Sequence, residues 1–207
     1  MTDRRLIAIV GAGAVFVATI LVIVFVAIEP TPEFTSLAPG EQSGFVAYAV
    51  DQGDEPGAVR IVDLATTDAV EAELGRDGDI VGWDDQGNLI IAEFTPSAER
   101  LIRVDPTSGE RVGSVEPQER DGAFEEEPVW VDHNEGNIIL EREDGVGFAS
   151  FPAPESYDVY EARTMGDDRI VFVDELGRVA VTYLGENVTP VMVGDDALGW
   201  WRIAARP

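Results

Sequence analysis

Asp132-His133-Asn134-Glu135-Gly136-Asn137 comes nearest, in residue types, to metal-binding chemistry. A calcium loop sets oxygen ligands at alternate positions, a glycine at the sixth and an acid at the twelfth. Asp132 and Asn134 fill the first and third places and Glu143 the twelfth. The glycine comes one place early, however, and the intervening NIILERE reads as a strand. A polar hairpin turn accounts for the same residues. Asp77-Gly78-Asp79 with Asp84 and Asp85, Gly166-Asp167-Asp168 and Gly194-Asp195-Asp196 repeat this turn chemistry. No cofactor is expected beyond a divalent cation held weakly between such turns.

Catalytic sets are harder to assemble, and no catalytic residue is assigned. Glu125, Glu126 and Glu127 are adjacent carboxylates before Pro128. General acid and base work needs two carboxyls at a set separation in opposite environments, which one loop rarely provides. His133 is the only imidazole, and none of the seven serines lies in a Gly-x-Ser-x-Gly elbow. Trp83, Trp130, Trp200 and Trp201 could stack on sugars. Core packing explains Trp83 and Trp130, which hold equivalent places in a repeat. Trp201, next to Trp200 on a strand, must face the opposite side, which makes it the candidate partner contact. Asn187-Val188-Thr189 matches an N-glycosylation sequon, weakened by Pro190.

Absent residue types exclude more. The 207 residues contain no cysteine, and all 14 basic residues are arginine, against 40 acids and a net charge of −26. Without Cys there is no disulfide framework, thiolate nucleophile or Cys-ligated metal. Without Lys there is no Walker-type phosphate loop and no Schiff-base chemistry. Nucleic acid is excluded as a partner, because phosphate contacts need a basic face. Acids spread along the whole chain fit a salt-adapted surface, whose self-repulsion is screened at high salt, or a surface made for a basic partner.

The elements that would position these residues begin with Leu6–Ile28, 23 residues without a charge. At 1.5 Å per residue they span about 34 Å, enough to cross a bilayer. The run is longer than a signal-peptide core and ends without a small-x-small site, so it reads as an uncleaved transmembrane helix contacting lipid. Arg4 and Arg5 precede it and Glu29, Glu33 and Glu41 follow, which places residues 1–5 in the cytoplasm and the rest outside. Ala8/Ala12 and Ala14/Ala18 form small-xxx-small pairs that could pack a second helix. Residues 29–43, with three prolines, read as an extended linker.

From residue 44 onward the pattern is all-β. Apolar stretches recur about every ten residues between Gly, Asp, Asn and Pro turns: 45–50, 58–64, 79–83, 88–94, 100–105, 111–116, 128–132, 137–143, 146–151, 169–174, 178–184, 190–194 and 198–206. TTDAVEAELG (66–75) fits either a helical turn or a strand. Three hairpins share a layout of aromatic, Asp, Gly and apolar strand, with aromatics at Trp83, Trp130 and Phe172. Their spacings of 47 and 42 predict a unit of about four strands.

LIRVDPTSGERVGSVE (101–116) resembles the outer-strand hairpin of β-propeller repeats of the quinoprotein-like and related bacterial types. IVDLATTDAV (61–70) is a looser copy. The resemblance covers about residues 45–200 and implies a propeller-like domain of about four blades, closed or completed by a partner. A β-sandwich or irregular barrel is the alternative. Gly199-Trp200 echoes Gly82-Trp83, so the C-terminus is expected to supply a strand to the first blade. The resemblance concerns architecture alone: no cofactor-binding residue of the quinoprotein enzymes transfers position by position.

These readings describe a single-pass membrane protein whose acidic outer domain binds or scaffolds, as an accessory to a larger membrane or envelope assembly with a protein partner. A carboxylate-dependent glycan hydrolase and a sensor ectodomain working with another subunit are the alternatives.

Overall fold

A computed structural model describes residues 32–50, 57–75, 78–95, 98–115, 129–198 and 202–207. The described residues all belong to one compact unit, Pro32–Pro207. The expected span 6–28, with Ala8, Ala12, Ala14 and Ala18, lies outside them. So do Asp77, Glu125 to Glu127, Trp200 and Trp201. No helix among the described residues is long and apolar enough to cross a membrane.

The described residues are all-β, in four sheets. Ahead of them comes β1 (Thr35–Ser36). Sheet 1 holds β2 (Phe45–Val50), β3 (Ala58–Asp63) and β4 (Ala69–Glu73). Sheet 2 holds β5 (Asp79–Trp83), β6 (Leu89–Thr95), β7 (Ala98–Val104) and β8 (Arg111–Val115). Sheet 3 holds β9 (Val129–Asn134), β10 (Asn137–Arg142) and β11 (Phe148–Pro152). Sheet 4 holds β12 (Val159–Met165), β13 (Arg169–Asp174), β14 (Val179–Tyr183) and β15 (Val191–Gly194). The last strand, β16 (Ile203–Arg206), returns to sheet 1 and pairs antiparallel with β2, with Ile203 opposite Tyr48. Strand β1 joins sheet 4, parallel to β15. Thus the described part of the expected linker is docked on the body, and it turns at Gly40 rather than running extended throughout.

The sheets stack face to face in the order 3, 4, 1, 2. Sheets 3 and 4 share Leu140, Phe151, Ile170 and Phe172. Sheets 4 and 1 share Val171, Val181, Val46 and Tyr48. Sheets 1 and 2 share Ala47, Ile61, Leu89 and Ile91. A sheet covered on both faces needs apolar residues at successive positions, not alternate ones. That is why Val46–Val50 and the whole of β13 are buried. Strand β16 lies beside both β12 and β5, and β12 beside β9.

Aspartates fix the turns. In the β5–β6 hairpin, the Gln86 and Asn88 N–H groups donate to Asp84 Oδ1 at 3.0 and 2.8 Å. In the β13–β14 hairpin, the Leu176 and Arg178 N–H groups donate to Asp174 Oδ1, both at 2.9 Å. Each carboxylate also receives an arginine: Arg103 Nε at 3.1 Å on Asp84 and Arg178 Nε at 2.6 Å on Asp174. Burial works to raise the Asp84 carboxyl, but bonds from Asn88, Arg103 and the Gln86 N–H outweigh it and hold the group below its ordinary value. A carboxyl depressed on folding stabilises above its unfolded pKa, about 3.9, and that stability drains away as pH falls through the lower folded value. We therefore expect Asp84→Asn to flatten the acid limb of stability, measured as urea midpoints from neutrality to below about pH 4.

The β3–β4 and β7–β8 turns match each other, as the two sequence copies suggested. Asp63 N–H donates to the Asp68 carbonyl and Asp105 N–H to the Glu110 carbonyl, both at 2.9 Å. The fifth residue is left-handed in each, Thr67 at φ 66° and Gly109 at φ 72°. A β-branched residue is strained there, whereas glycine is not. Thermal unfolding should show Thr67→Gly to be more stable by about 0.5–1 kcal/mol. Gly109→Ala should be destabilising, since its Cβ would lie 2.5 Å from the Glu71 carbonyl oxygen.

Of the two readings open for TTDAVEAELG, the strand is the one formed, as β4 over Ala69–Glu73. Two expectations change. Strand β12 is absent from the sequence reading, because a bulge between Val159 and Glu161 shifts its register and its buried residues, Val159, Ala162 and Met165, fall three apart. The aromatic–Asp–Gly hairpins are not one repeated position: Trp83–Asp84 ends the first strand of sheet 2, Phe172–Asp174 the second strand of sheet 4. The same Asp turn serves any tight antiparallel hairpin, so its recurrence does not mark the unit.

Candidate functional site

Sheet 4 packs on one face of sheet 3, and among the described residues no sheet shares a core with the other face. Alternation along its strands sends Ile138, Leu140, Ala149 and Phe151 inward, where all are buried. The other face carries three cross-strand rows: Trp130–Glu141–Phe148, Asp132–Ile139–Ser150 and Asn134–Asn137–Pro152. Residues directly opposite one another share a face, so each row is a line of neighbours running across the strands. Trp130 is 64% exposed and Phe148 40%. The hairpin that sets the register is a two-residue turn, Glu135-Gly136, with φ of 49° and 81°.

At the hairpin end lies a recess of about 270 Å³, bounded by Asn134 and Asn137 together with His133, Glu135, Ala153 and Glu155. The only arginine in β9 to β11 and their turns is Arg142. It belongs to the inward set and donates to the Gly166 and Asp167 carbonyls, both at 3.2 Å. The outward face is thus acidic, through Asp132, Glu135 and Glu141. It can stack planar or C–H-rich groups on its rings and accept hydrogen bonds at its carboxylates. Among the described residues of β9 to β11, no arginine faces outward to pair with an anion.

Asp132 and Asn134 lie two residues apart on β9, and Asp132 Oδ1 accepts the His133 N–H at 2.8 Å. Glu143 is not brought to them. Asp132 pairs with Ile139, and Glu143 comes four residues further along, roughly 13 Å away down the strand. Among the described residues no three His, Asp or Glu side chains gather as a metal site. Asp79 turns back on the Ile80 N–H, and Asp85, Asp167 and Asp195 are exposed in turns. Asp196 pairs with Arg60, which also holds Glu71 at 2.8 Å, and it lies beside the Tyr48 hydroxyl. Burial pushes that hydroxyl up to about 12. This cluster ties the 194–198 turn to sheet 1. Asn187 is exposed on the β14–β15 loop.

Trp83 is buried in the core of sheets 1 and 2, as expected, but Trp130 is not a core residue. The expectation failed because the two are not equivalent: Trp83 ends its strand between two packed sheets, while Trp130 points to the side of sheet 3 away from sheet 4. Glu141 and Phe148 were missed altogether. No protein-family model matches the chain, and no curated protein matches it.

Proposed function

We propose that the chain is a membrane-anchored extracytoplasmic binding and scaffolding module, accessory to a larger membrane or envelope assembly. In this reading residues 6–28 span the bilayer and the four sheets form a propeller-like body of four blades. Support for the blades comes from the meandering sheets, the neighbouring first strands and the C-terminal strand that completes sheet 1.

The observation that carries the binding role is the outward face of sheet 3, where Trp130 and Phe148 stand exposed on a sheet whose back is packed. Exposed large aromatics on a supported face are typical of recognition surfaces. The test is purification of the full-length protein from its native membrane in mild detergent, beside a chain with a scrambled 6–28 and a Trp130→Ala chain. A defined set of co-purifying molecules, lost with the scrambled span, supports the accessory role. Their loss with Trp130→Ala assigns the face. A protein that emerges alone from native membranes overturns the accessory role.

A further inference from the structure

We propose that the outward face of sheet 3 binds a neutral, extended polysaccharide, laid across the strands from Trp130 to Phe148; this rests on reading the chain as a binding module. The row Trp130–Glu141–Phe148 spans three strands, so the two ring-bearing Cα positions are two strand spacings apart, about 9.6 Å. An extended β-linked hexose chain presents sugar faces with a disaccharide repeat of similar length. The row runs perpendicular to the strands. A rod crossing the sheet therefore meets both rings, whereas a peptide added along a strand edge would run parallel to the strands and meet one.

The side chains between and beside the rings select the same chemistry. A sugar ring has a C–H face that stacks on an aromatic and a rim of hydroxyls that donate hydrogen bonds. Glu141 sits between the two rings, and Asp132 and Asn137 follow in the next rows. Covering Glu141 and Asp132 with an apolar protein surface would strip water from two carboxylates without replacing its hydrogen bonds, which is strongly unfavourable. Sugar hydroxyls replace them. Anionic polysaccharides are disfavoured, because Arg142, the one arginine in β9 to β11, is turned inward and the chain carries −26. Nor is the face reserved for the other end of the stack. The outer face of sheet 2, with Ile90, Ala92, Leu101 and Val115, is itself already buried. The packed back of sheet 3 fixes both ring-bearing strands before a ligand arrives, which lowers the ordering cost of binding.

The experiment is calorimetric titration of the full-length protein in detergent with cellohexaose, chitohexaose and laminarihexaose. Hexagalacturonate and octalysine are run in parallel. Variants are Trp130→Ala, Phe148→Ala and Trp130→Phe, with Val112→Ala on sheet 2 as a control. Trp130 and Val112 are surface residues, so melting temperatures should match the parent and folding does not confuse the result. At least one neutral hexasaccharide should bind. Trp130→Ala and Phe148→Ala should each weaken it about tenfold or more, with Trp130→Phe partly restored and Val112→Ala unchanged. Binding should persist from about 0.1 to 1 M salt, because no ion pair is involved. No binding by any neutral saccharide, or binding that ignores both aromatic variants, overturns the proposal. Binding of octalysine alone, lost with Trp130→Ala and in high salt, overturns the polysaccharide but keeps the face as a binding site for basic protein segments. Silence of every probe, with the protein emerging alone from native membranes, removes the binding-module reading as well.

Discussion

A chain ending at Leu198 is expected not to reach the native fold. The loss is nine residues, yet they include β16, whose Ile203 and Ala204 are 2% and 1% exposed. Alternation gives the strand two roles. Ile203 and Ala205 enter the core that joins sheet 1 to sheet 4, and Ala204 enters the core that joins sheet 1 to sheet 2. Its main chain pairs with β2 from Ile203 opposite Tyr48 to Arg206 opposite Phe45, and Arg206 donates to the Gly87 carbonyl at 3.0 Å. Truncation therefore opens two cores at once and strips one of the two partners from the buried strand β2. Side-chain burial, the lost pairing and the two opened cores together approach the ~5–15 kcal/mol that separates a typical domain from its unfolded state. The truncated chain should express insolubly, or bind a hydrophobic dye and melt without a cooperative transition. Adding a peptide of residues 199–207 should restore cooperativity. Removing Pro207 alone should change little. A truncated chain that melts cooperatively within a few degrees of the parent would show that β16 is an accessory strand.

This dependence of the first sheet on the last strand was legible in part. The C-terminal apolar stretch was readable as a strand destined for the first unit, because its composition repeats the pattern of the others. The pairing residues are 203–206, after the Gly199-Trp200 pair that suggested it. The all-β class followed from Val, Ile and aromatic runs between Gly and Asp turns. Sheet order did not, since turn chemistry is the same wherever a hairpin falls, as Asp84 and Asp174 show. The candidate face was within reach. VWVDHN and NIILER alternate, and a two-residue turn fixes Trp130 opposite Glu141. What the sequence could not show is which of two alternating faces is covered, because that is decided by sheet 4, whose strands β12 to β15 come from residues 159–194. Glu143 failed as a ligand partner of Asp132 for a related reason: twelve-residue spacing closes a loop in a calcium site but here runs down a strand.

Asp174→Ala should be the most damaging single substitution, lowering stability by about 3–5 kcal/mol, or roughly 10 °C in melting temperature. Asp174 is 0% exposed. Its Oδ1 accepts the two N–H groups that close the β13–β14 turn, and its Oδ2 accepts Arg178 Nε at 2.6 Å and the Tyr157 hydroxyl at 3.1 Å. Alanine would leave these four donors unmatched and a guanidinium without its counter-charge, with the Arg178 side chain only 16% exposed. The same guanidinium lies 4.3 Å over the Phe34 ring, and Phe34 precedes β1. Losing Asp174 should thus also loosen the docked segment 32–43, seen as faster proteolysis there than elsewhere. Asp174→Asn keeps an acceptor for the turn but not the charge, and should fall between parent and alanine. The decisive comparison is Asp174→Ala with and without Arg178→Met. Removing an unpaired buried charge is favourable, so the double variant should recover part of the loss. Simple additivity, with the double variant worse by the full cost of both, would mean that the carboxylate acts through the turn alone and that its pairing with Arg178 contributes nothing to the fold.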